Sequence, residues 1–125
     1  DFSSNSTVFN ADILVTDWSD IGCEYAFTTE RPVLYVDTPM KIMNPDYQDI
    51  SEIPINISIR DKIGRRLKID EMETVCEIVL DMLNNKDAYK ERIRAEAEEF
   101  YFNHGKAAEV GADYIIKALL KRSEK

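Results

Sequence analysis

The chain lacks the patterns that mark metal and redox sites. Its 125 residues include two cysteines and one histidine, with neither a CxxC pair nor an HExxH motif. Transition-metal sites need clusters of such ligands, so we expect no metal. Cys23 and Cys76 lie far apart in the chain, each on the apolar side of a predicted helix. We therefore expect two buried free thiols.

Long apolar runs and glycine-rich phosphate loops are also missing. A membrane-spanning helix needs about 20 consecutive apolar residues, and the apolar runs here are only a few residues long. Neither GxGxxG nor GxxxxGK[ST] occurs. The chain opens at Asp1 without a secretory signal, and we expect it to be a fragment of a longer protein.

Basic charge is scarce, which excludes one class of partner. Sixteen basic residues stand against 24 acidic ones, and the net charge at pH 7 is −8. Nucleic-acid binders need a basic surface, so none is expected as a partner. Hydrophobic residues make up 44% and charged residues 32%, values typical of a globular protein. The length fits a single domain over residues 1–125.

Two short apolar runs joined by a helix predict a parallel βαβ unit. Ala11–Thr16 and Val33–Val36 are typical of buried strands. A short helix capped by Ser19 connects them, and Thr28–Arg31 forms the return turn. Pro32 then opens the second strand.

The middle of the chain predicts a functional loop and a third strand. Asp37–Glu52 is long and interrupted by prolines, which is typical of functional loops after parallel strands. Ile55, Ile57 and Ile59 alternate with polar residues and predict a strand. A basic cluster follows, interpreted as either a solvated turn and strand or a contact for phosphate or an acidic surface: Arg60, Lys62, Arg65, Arg66 and Lys68.

Helical spacing dominates the rest of the chain. Asp70 and Glu73 resemble a capping box, and a helix with apolar residues up to Leu83 follows. A second helix is predicted from Asp87 and a last one beyond the break at Asn103–Gly105, with its apolar stripe facing inward. The expected fold class is α/β, a partial doubly wound parallel sheet with C-terminal helices.

Four polar side chains surround the start of the first predicted helix: Asp17, Ser19, Asp20 and Glu24. In open parallel sheets this position lies beyond the carboxyl ends of the strands, where ligands bind. Helix amides there suit phosphate, and Ser19 either caps the helix or donates its hydroxyl to a phosphate oxygen. Glu24 suits ribose hydroxyls, whereas Asp20 would repel phosphate. The alternative is that all four are only caps and surface residues.

The segment ADILVTDWSDIGCEYAFTTERPVLYVDTP resembles a stretch of the CDP-glycerol glycerophosphotransferase family, which includes polymerases and primases of teichoic-acid synthesis. The tail Phe102–Ile115 is similar to the closing segment of that family. The matching positions of the first segment are Ala11, Asp12, Leu14, Thr16, Asp17, Ser19, Tyr25, Ala26 and Pro32.

The resemblance implies the C-terminal part of the nucleotide-binding domain of a GT-B enzyme. Such enzymes move glycerol phosphate, or a related polyol phosphate, from a CDP-activated donor to a cell-wall or capsule polymer. The parent would be cytoplasmic, peripheral at the membrane, and without a cofactor. Ser19 would contact the diphosphate, Glu24 the nucleotide, and Asp17 would shape the turn. The catalytic histidines would lie in the missing N-terminal domain, so this chain would hold no catalytic residue and be inactive alone.

Three departures from the family pattern fall inside the site. Asp20 replaces a second serine, Trp18 replaces a tyrosine, and Glu24 is one methylene longer than the usual aspartate. Two other functions therefore stay open. One is another GT-B sugar transferase, or a UDP-N-acetylglucosamine epimerase-like domain. The other is a non-catalytic α/β interaction domain.

Overall fold

The protein was analysed as a computed structural model that describes residues 6–40 and 42–123. Its strands are β1 (Leu14–Thr16), β2 (Val33–Asp37) and β3 (Gly64–Lys68). They form one parallel sheet in the order β1-β2-β3. The predicted α/β class, with a small parallel sheet and C-terminal helices, is confirmed.

Helices occupy most of the remaining described chain. Residues 1–5 lie outside the described residues, and the five residues after them are helical. The α-helices are α1 (Ser6–Asn10), α2 (Ile21–Thr29), α3 (Ile55–Ser58), α4 (Arg60–Ile63), α5 (Val75–Asn84), α6 (Lys86–Phe100) and α7 (Ala107–Ser123).

The central strand is the one with the longest buried apolar run. Val33, Leu34 and Tyr35 of β2 are almost fully buried, because strands pair on both sides of β2. Continuous apolar runs are typical of parallel strands covered on both faces. Leu67 of β3, Ile59 just before α4, and residues of α2, α4, α5 and α6 complete one core with β2: Cys23, Tyr25, Ala26, Ile63, Ile78, Met82, Tyr89 and Ile93.

The end of α2 is fixed to α6 by ion pairs. Glu30 takes up the left-handed conformation that ends α2, with φ at 57°. Its carboxylate pairs with Arg94 at 2.8 Å and Lys90 at 3.5 Å, which lowers the pKa of Glu30. The return turn was expected at Thr28–Arg31, but α2 continues through Thr29 and the turn begins at Glu30, where it also holds the βαβ unit against α6.

The predicted strand over Ile55–Ile59 is wrong. These residues begin two short helices, α3 and α4, and Ile59 and Ile63 face the core. Ile55, Ile57 and Ile59 fit the spacing of two that is typical of a strand. Ile55, Ile59 and Ile63 fit the spacing of four that is typical of a helix, so the pattern allows either element. The true third strand is β3, which lies within the basic cluster and contributes one buried large apolar side chain, Leu67.

Two other expectations for the C-terminal half are wrong. Asp70 does not cap a helix: it lies in the 3-10 segment Ile69–Thr74, and α5 begins at Val75. Cys76 is exposed, whereas Cys23 is buried as expected, and both thiols are free.

The last helix does not face inward. The break at Asn103–Gly105 is confirmed, with positive φ angles at both ends. Beyond it, every described side chain of α7 is exposed, including Tyr114 at 74% and Ile115 at 59%. The apolar stripe exists, but the described residues offer it no surface for packing. None of the helices in residues 6–40 and 42–123 combines the length and apolar character needed to cross a bilayer.

We predict that Gly64→Ala destabilises the protein by about 2 kcal/mol or more, because a Cβ at this position would overlap the carbonyl oxygen of Val33 on β2. Thermal unfolding followed by circular dichroism measures the change. Gly111→Ala is the matched control, since nothing surrounds that position in α7 and alanine favours a helix. Equal melting temperatures for both variants would contradict the close approach of β2 and β3.

Candidate anion site at the carboxyl edge of the sheet

The turn between β1 and α2 lies where the sequence places it. β1 ends at Thr16 and β2 at Asp37, and parallel strands end at the same edge of a sheet. The turn Asp17–Asp20 follows β1 directly at that edge. The side chains of Asp17, Ser19 and Asp20 are all exposed there. The turn is therefore open to a ligand.

The start of α2 has no side-chain cap. Asp20 is the N-cap residue, and its carboxylate makes no capping hydrogen bond. Ser19 precedes the cap, and its Oγ accepts only a long hydrogen bond of 3.4 Å from the amide of Ile21. The amides of Ser19 and Asp20 donate to no other described residue. Unpaired amides at a helix N-terminus, together with the helix dipole, form an anion-binding arrangement.

Two hydrogen bonds tie this turn to the segment that follows β2. The amide nitrogen Nδ2 of Asn56 donates to a carboxylate oxygen of Asp20. The indole Nε1 of Trp18 donates to the carbonyl oxygen of Thr38 at 2.7 Å. Asp20 thus binds α3 and is not simply a charge facing solvent.

Glu24 lies apart from the other three predicted site residues. It is exposed on α2 and lines a cavity of about 440 Å³, whose other lining residues all lie outside the turn. Rings of Phe9, Phe27, Tyr101 and His104 line this cavity. The structure therefore brings Asp17, Ser19 and Asp20 together in the turn and puts Glu24 further along the helix.

Arg60, which the sequence identifies only as a member of the basic cluster, lies buried at this edge. Its guanidinium carbon lies 4.0 Å from the ring centroid of Trp18 and 4.6 Å from that of Tyr35. Arg60 is only 2% exposed. Its Nη2 lies 3.2 Å from Oδ1 of Asp37 and donates to the carbonyl oxygen of Asp17 at 3.3 Å. A buried arginine thus joins the turn, β2 and α4.

The sequence signal for Arg60 is weak. Arg60 stands between Ile59 and Ile63, which are both fully buried and four residues apart. That spacing indicates a helix that faces the core, but neighbouring residues of a helix point about 100° apart, so the spacing alone does not bury Arg60.

The rest of the basic cluster is paired with carboxylates. These contacts are Lys62 with Glu96 at 2.8 Å, Arg65 with Asp81 at 3.2 Å, Arg66 with Asp37 at 2.8 Å and Lys68 with Glu71 at 3.7 Å. For these four residues the structure favours ion pairing at the surface over phosphate binding. Arg60 differs, because its Nε and Nη1 are buried and find no hydrogen-bond partner among the described residues.

Burial affects the titration of the groups beneath the turn. It lowers the pKa of Arg60, and the carboxylate of Asp37 acts in the opposite direction. Arginine nevertheless stays charged in proteins, so Arg60 is a buried cation. Burial also raises the pKa of Tyr35, so its hydroxyl is neutral at physiological pH. A cation beneath an uncapped helix start favours an anionic ligand.

Two further features bear on the edge. The segment after β2 encloses a largely apolar cavity of about 410 Å³, lined by Met40, Ile42, Met43, Tyr47, Ile53 and Ile57 among others. Within residues 6–40 and 42–123, no three potential metal ligands cluster together.

Comparison with family models, curated proteins and solved structures finds no match to this chain.

We predict that Asp37→Asn lowers the free energy of unfolding by about 3 kcal/mol, because it removes the counter-charge of a buried guanidinium. Chemical denaturation measures the loss. Asp61→Asn is the control: Asp61 also faces Arg66, but it is exposed and 3.7 Å away, so we expect a change below about 0.5 kcal/mol. Similar losses in the two variants would show that the burial of Arg60 does not determine how much Asp37 contributes to the free energy of unfolding.

Proposed function

We propose that this chain is the nucleotide-binding part of a transferase that moves glycerol phosphate, or a related polyol phosphate, from a CDP-activated donor to a cell-wall or capsule polymer. The diphosphate of the donor binds at the turn between β1 and α2. An N-terminal domain of the parent protein supplies the rest of the active site. The parent works in the cytoplasm, peripheral to the membrane, as the resemblance to the glycerophosphotransferase family implies.

One observation carries this proposal: an uncapped helix start lies at the carboxyl edge of a parallel sheet, above a buried arginine. The two unpaired amides of the turn and the dipole of α2 favour negative charge. The exposed hydroxyl of Ser19 adds a donor to the same corner. The residues at this turn are also those that carry the resemblance to the glycerophosphotransferase family.

The reaction is an in-line displacement at the phosphorus that carries the polyol. An acceptor hydroxyl attacks this phosphorus, the bond to the bridging oxygen of the diphosphate breaks, and CMP leaves with the electron pair. The hydroxyl proton passes to a general base. Donors fixed on this chain stabilise the charge on the phosphoryl oxygens. His104 lines a cavity away from the turn, so the base comes from elsewhere in the parent.

The acidic residues of the turn set a limit on this site. Asp17 and Asp20 would repel a diphosphate, and the net charge of the chain is −8. Asp20 is held by Asn56 on α3, which fixes the position of its carboxylate. The unpaired amides, the hydroxyl of Ser19 and the charge of Arg60 act in the favourable direction. The proposal requires that these favourable contacts exceed the repulsion.

Nucleotide titration followed by NMR tests the function directly. Amide shifts confined to residues 16–27 on adding CDP, with weaker shifts for UDP, are the expected result. A preference for UDP would instead support a GT-B sugar transferase or an epimerase-like domain. Absence of shifts with either nucleotide would overturn the proposal and favour a non-catalytic interaction domain.

We predict that Ser19→Ala weakens CDP binding by about 1 kcal/mol, roughly fivefold, because a hydrogen bond to a charged oxygen is lost. Isothermal titration calorimetry measures the affinity. The control is Ser51→Ala, whose exposed hydroxyl donates only to Glu52. If Ser19→Ala and Ser51→Ala both bind CDP as the unmodified chain does, Ser19 is not a ligand contact.

We predict that Asp20→Asn tightens pyrophosphate binding about fivefold, because one nearby negative charge is removed. An asparagine retains an oxygen that accepts the hydrogen bond from Asn56, so the turn keeps its contact with α3. Calorimetry at two salt concentrations measures the change, and salt should diminish it. Weaker binding by Asp20→Asn would show that the carboxylate itself assists the ligand.

A further inference from the structure

The guanidinium of Arg60 carries more donors than the fold uses. An arginine has five N–H groups in a planar fork. Only Nη2 is engaged, by Asp37 and by the carbonyl oxygen of Asp17. Nε and Nη1 are buried and have no partner among the described residues. Buried polar groups in native proteins are nearly always paired, so this vacancy calls for an explanation.

We propose that Arg60 binds the phosphate groups of the ligand at the β1–α2 turn, and that Trp18 covers Arg60 until they arrive. This inference rests on the proposed function, because it assigns a residue to the same diphosphate site. A phosphate offers several oxygens that accept N–H bonds from a guanidinium. Nε and Nη1 of Arg60 lie on different sides of the guanidinium, so each can donate a separate hydrogen bond to a phosphate group.

The position of Arg60 supports this role. Its Nη2 lies 3.3 Å from the carbonyl oxygen of Asp17, the first residue of the turn. The unpaired amides of Ser19 and Asp20 come two and three residues later in the same turn. An anion held by these amides is therefore a close neighbour of the guanidinium.

The local charge balance leaves Arg60 partly uncompensated. Asp37 serves two arginines at once: Arg60 at 3.2 Å and Arg66 at 2.8 Å. Asp61 offsets Arg66 only from 3.7 Å and from an exposed position. Among the described residues, Asp37 is the only carboxylate in ion-pair contact with Arg60, and Arg60 shares it with Arg66. A phosphate group would supply the missing negative charge.

Trp18 is the side chain that would have to move. Two rings flank the guanidinium, but Tyr35 belongs to the central strand and is 1% exposed. Trp18 belongs to the turn, is half-buried, and is held by one hydrogen bond to Thr38 and by its stacking on Arg60. Displacing Trp18 removes the ring stacked on one face of Arg60, which would free the guanidinium to turn its in-plane N–H groups toward a ligand, and leaves the sheet intact.

The fluorescence of Trp18 reports this event, because it is the only tryptophan in the chain. We titrate the 125-residue chain with inorganic pyrophosphate, using sulfate as the control ion. The expected result is a saturable change in tryptophan emission with pyrophosphate and little change with sulfate. An unmodified chain with no saturable response to pyrophosphate would overturn the proposal.

Two arginine variants test the assignment. Arg60→Lys keeps a cation beside Asp37 but loses the planar fork, and we expect at least tenfold weaker pyrophosphate binding. Arg65→Lys is the matched control, since Arg65 is exposed on β3 and pairs with Asp81. Unchanged affinity in folded Arg60→Lys would show that Arg60 only holds the fold together, which would overturn the proposal.

A third variant covers the case in which Arg60→Lys fails to fold. Trp18→Phe leaves Arg60 in place and removes the hydrogen bond that holds the cover. Calorimetry should then show several-fold tighter pyrophosphate binding, whereas unchanged or weaker binding would overturn the role of Trp18 as a cover.

The outcome also separates this inference from the proposed function. Pyrophosphate binding that depends on Arg60, with no preference between CDP and UDP, would keep the phosphate site and reject the CDP-dependent transferase. CDP-selective binding that Arg60→Lys leaves unchanged would instead support the proposed function and reject the role of Arg60 in phosphate binding.

Discussion

The buried guanidinium of Arg60 lies where three parts of the fold meet. Its stacking on Trp18 fixes the turn after β1, its stacking on Tyr35 fixes the central strand, and its contact with Asp37 fixes the end of that strand. A cation in such a place is costly unless it is well paired, because its hydration is lost. The two aromatic faces offset part of that cost through cation–π attraction. The shape of the carboxyl edge thus depends on this one charge.

Two hydrogen bonds explain why the segment after β2 is long and yet has fixed ends near the turn. Thr38 at its start accepts a hydrogen bond from Trp18, and Asn56 near its end donates to Asp20. Both anchors are residues of the β1–α2 turn, so the segment leaves and returns at the same corner. Between the anchors it exposes apolar side chains such as Met43 and Ile53. Any ligand at the turn would therefore contact the ends of this segment as well.

The sequence was sufficient for the βαβ unit because its signals are local. β1 and β2 are short apolar runs, and the polar turn between β1 and α2 lies where those runs predict it. β3 could not be predicted in this way, since Gly64–Lys68 carries two arginines and one large apolar residue, Leu67. Its pairing with β2 depends on the absence of a side chain at Gly64, which is a long-range effect. The sequence named Arg60 only as a member of the basic cluster, because its burial depends on contacts with Trp18, Tyr35 and Asp37 that are distant in the chain.

The site residues show the same division between local and long-range information. The exposure of Asp17, Ser19 and Asp20 follows from the turn itself, whereas the contact of Asp20 with Asn56 joins residues distant in the chain. That contact changes how the acidic residue should be understood. A carboxylate in the first turn of a helix gains from the dipole, and here it also holds α3. Asp20 therefore stabilises the corner through Asn56, while its negative charge makes the same corner less favourable for an anion. The buried Arg60 beneath the turn supplies charge of the opposite sign. Asp20 and Asn56 thus stabilise the turn without attracting phosphate, whereas Arg60 both supports the corner and carries the charge that would attract an anion.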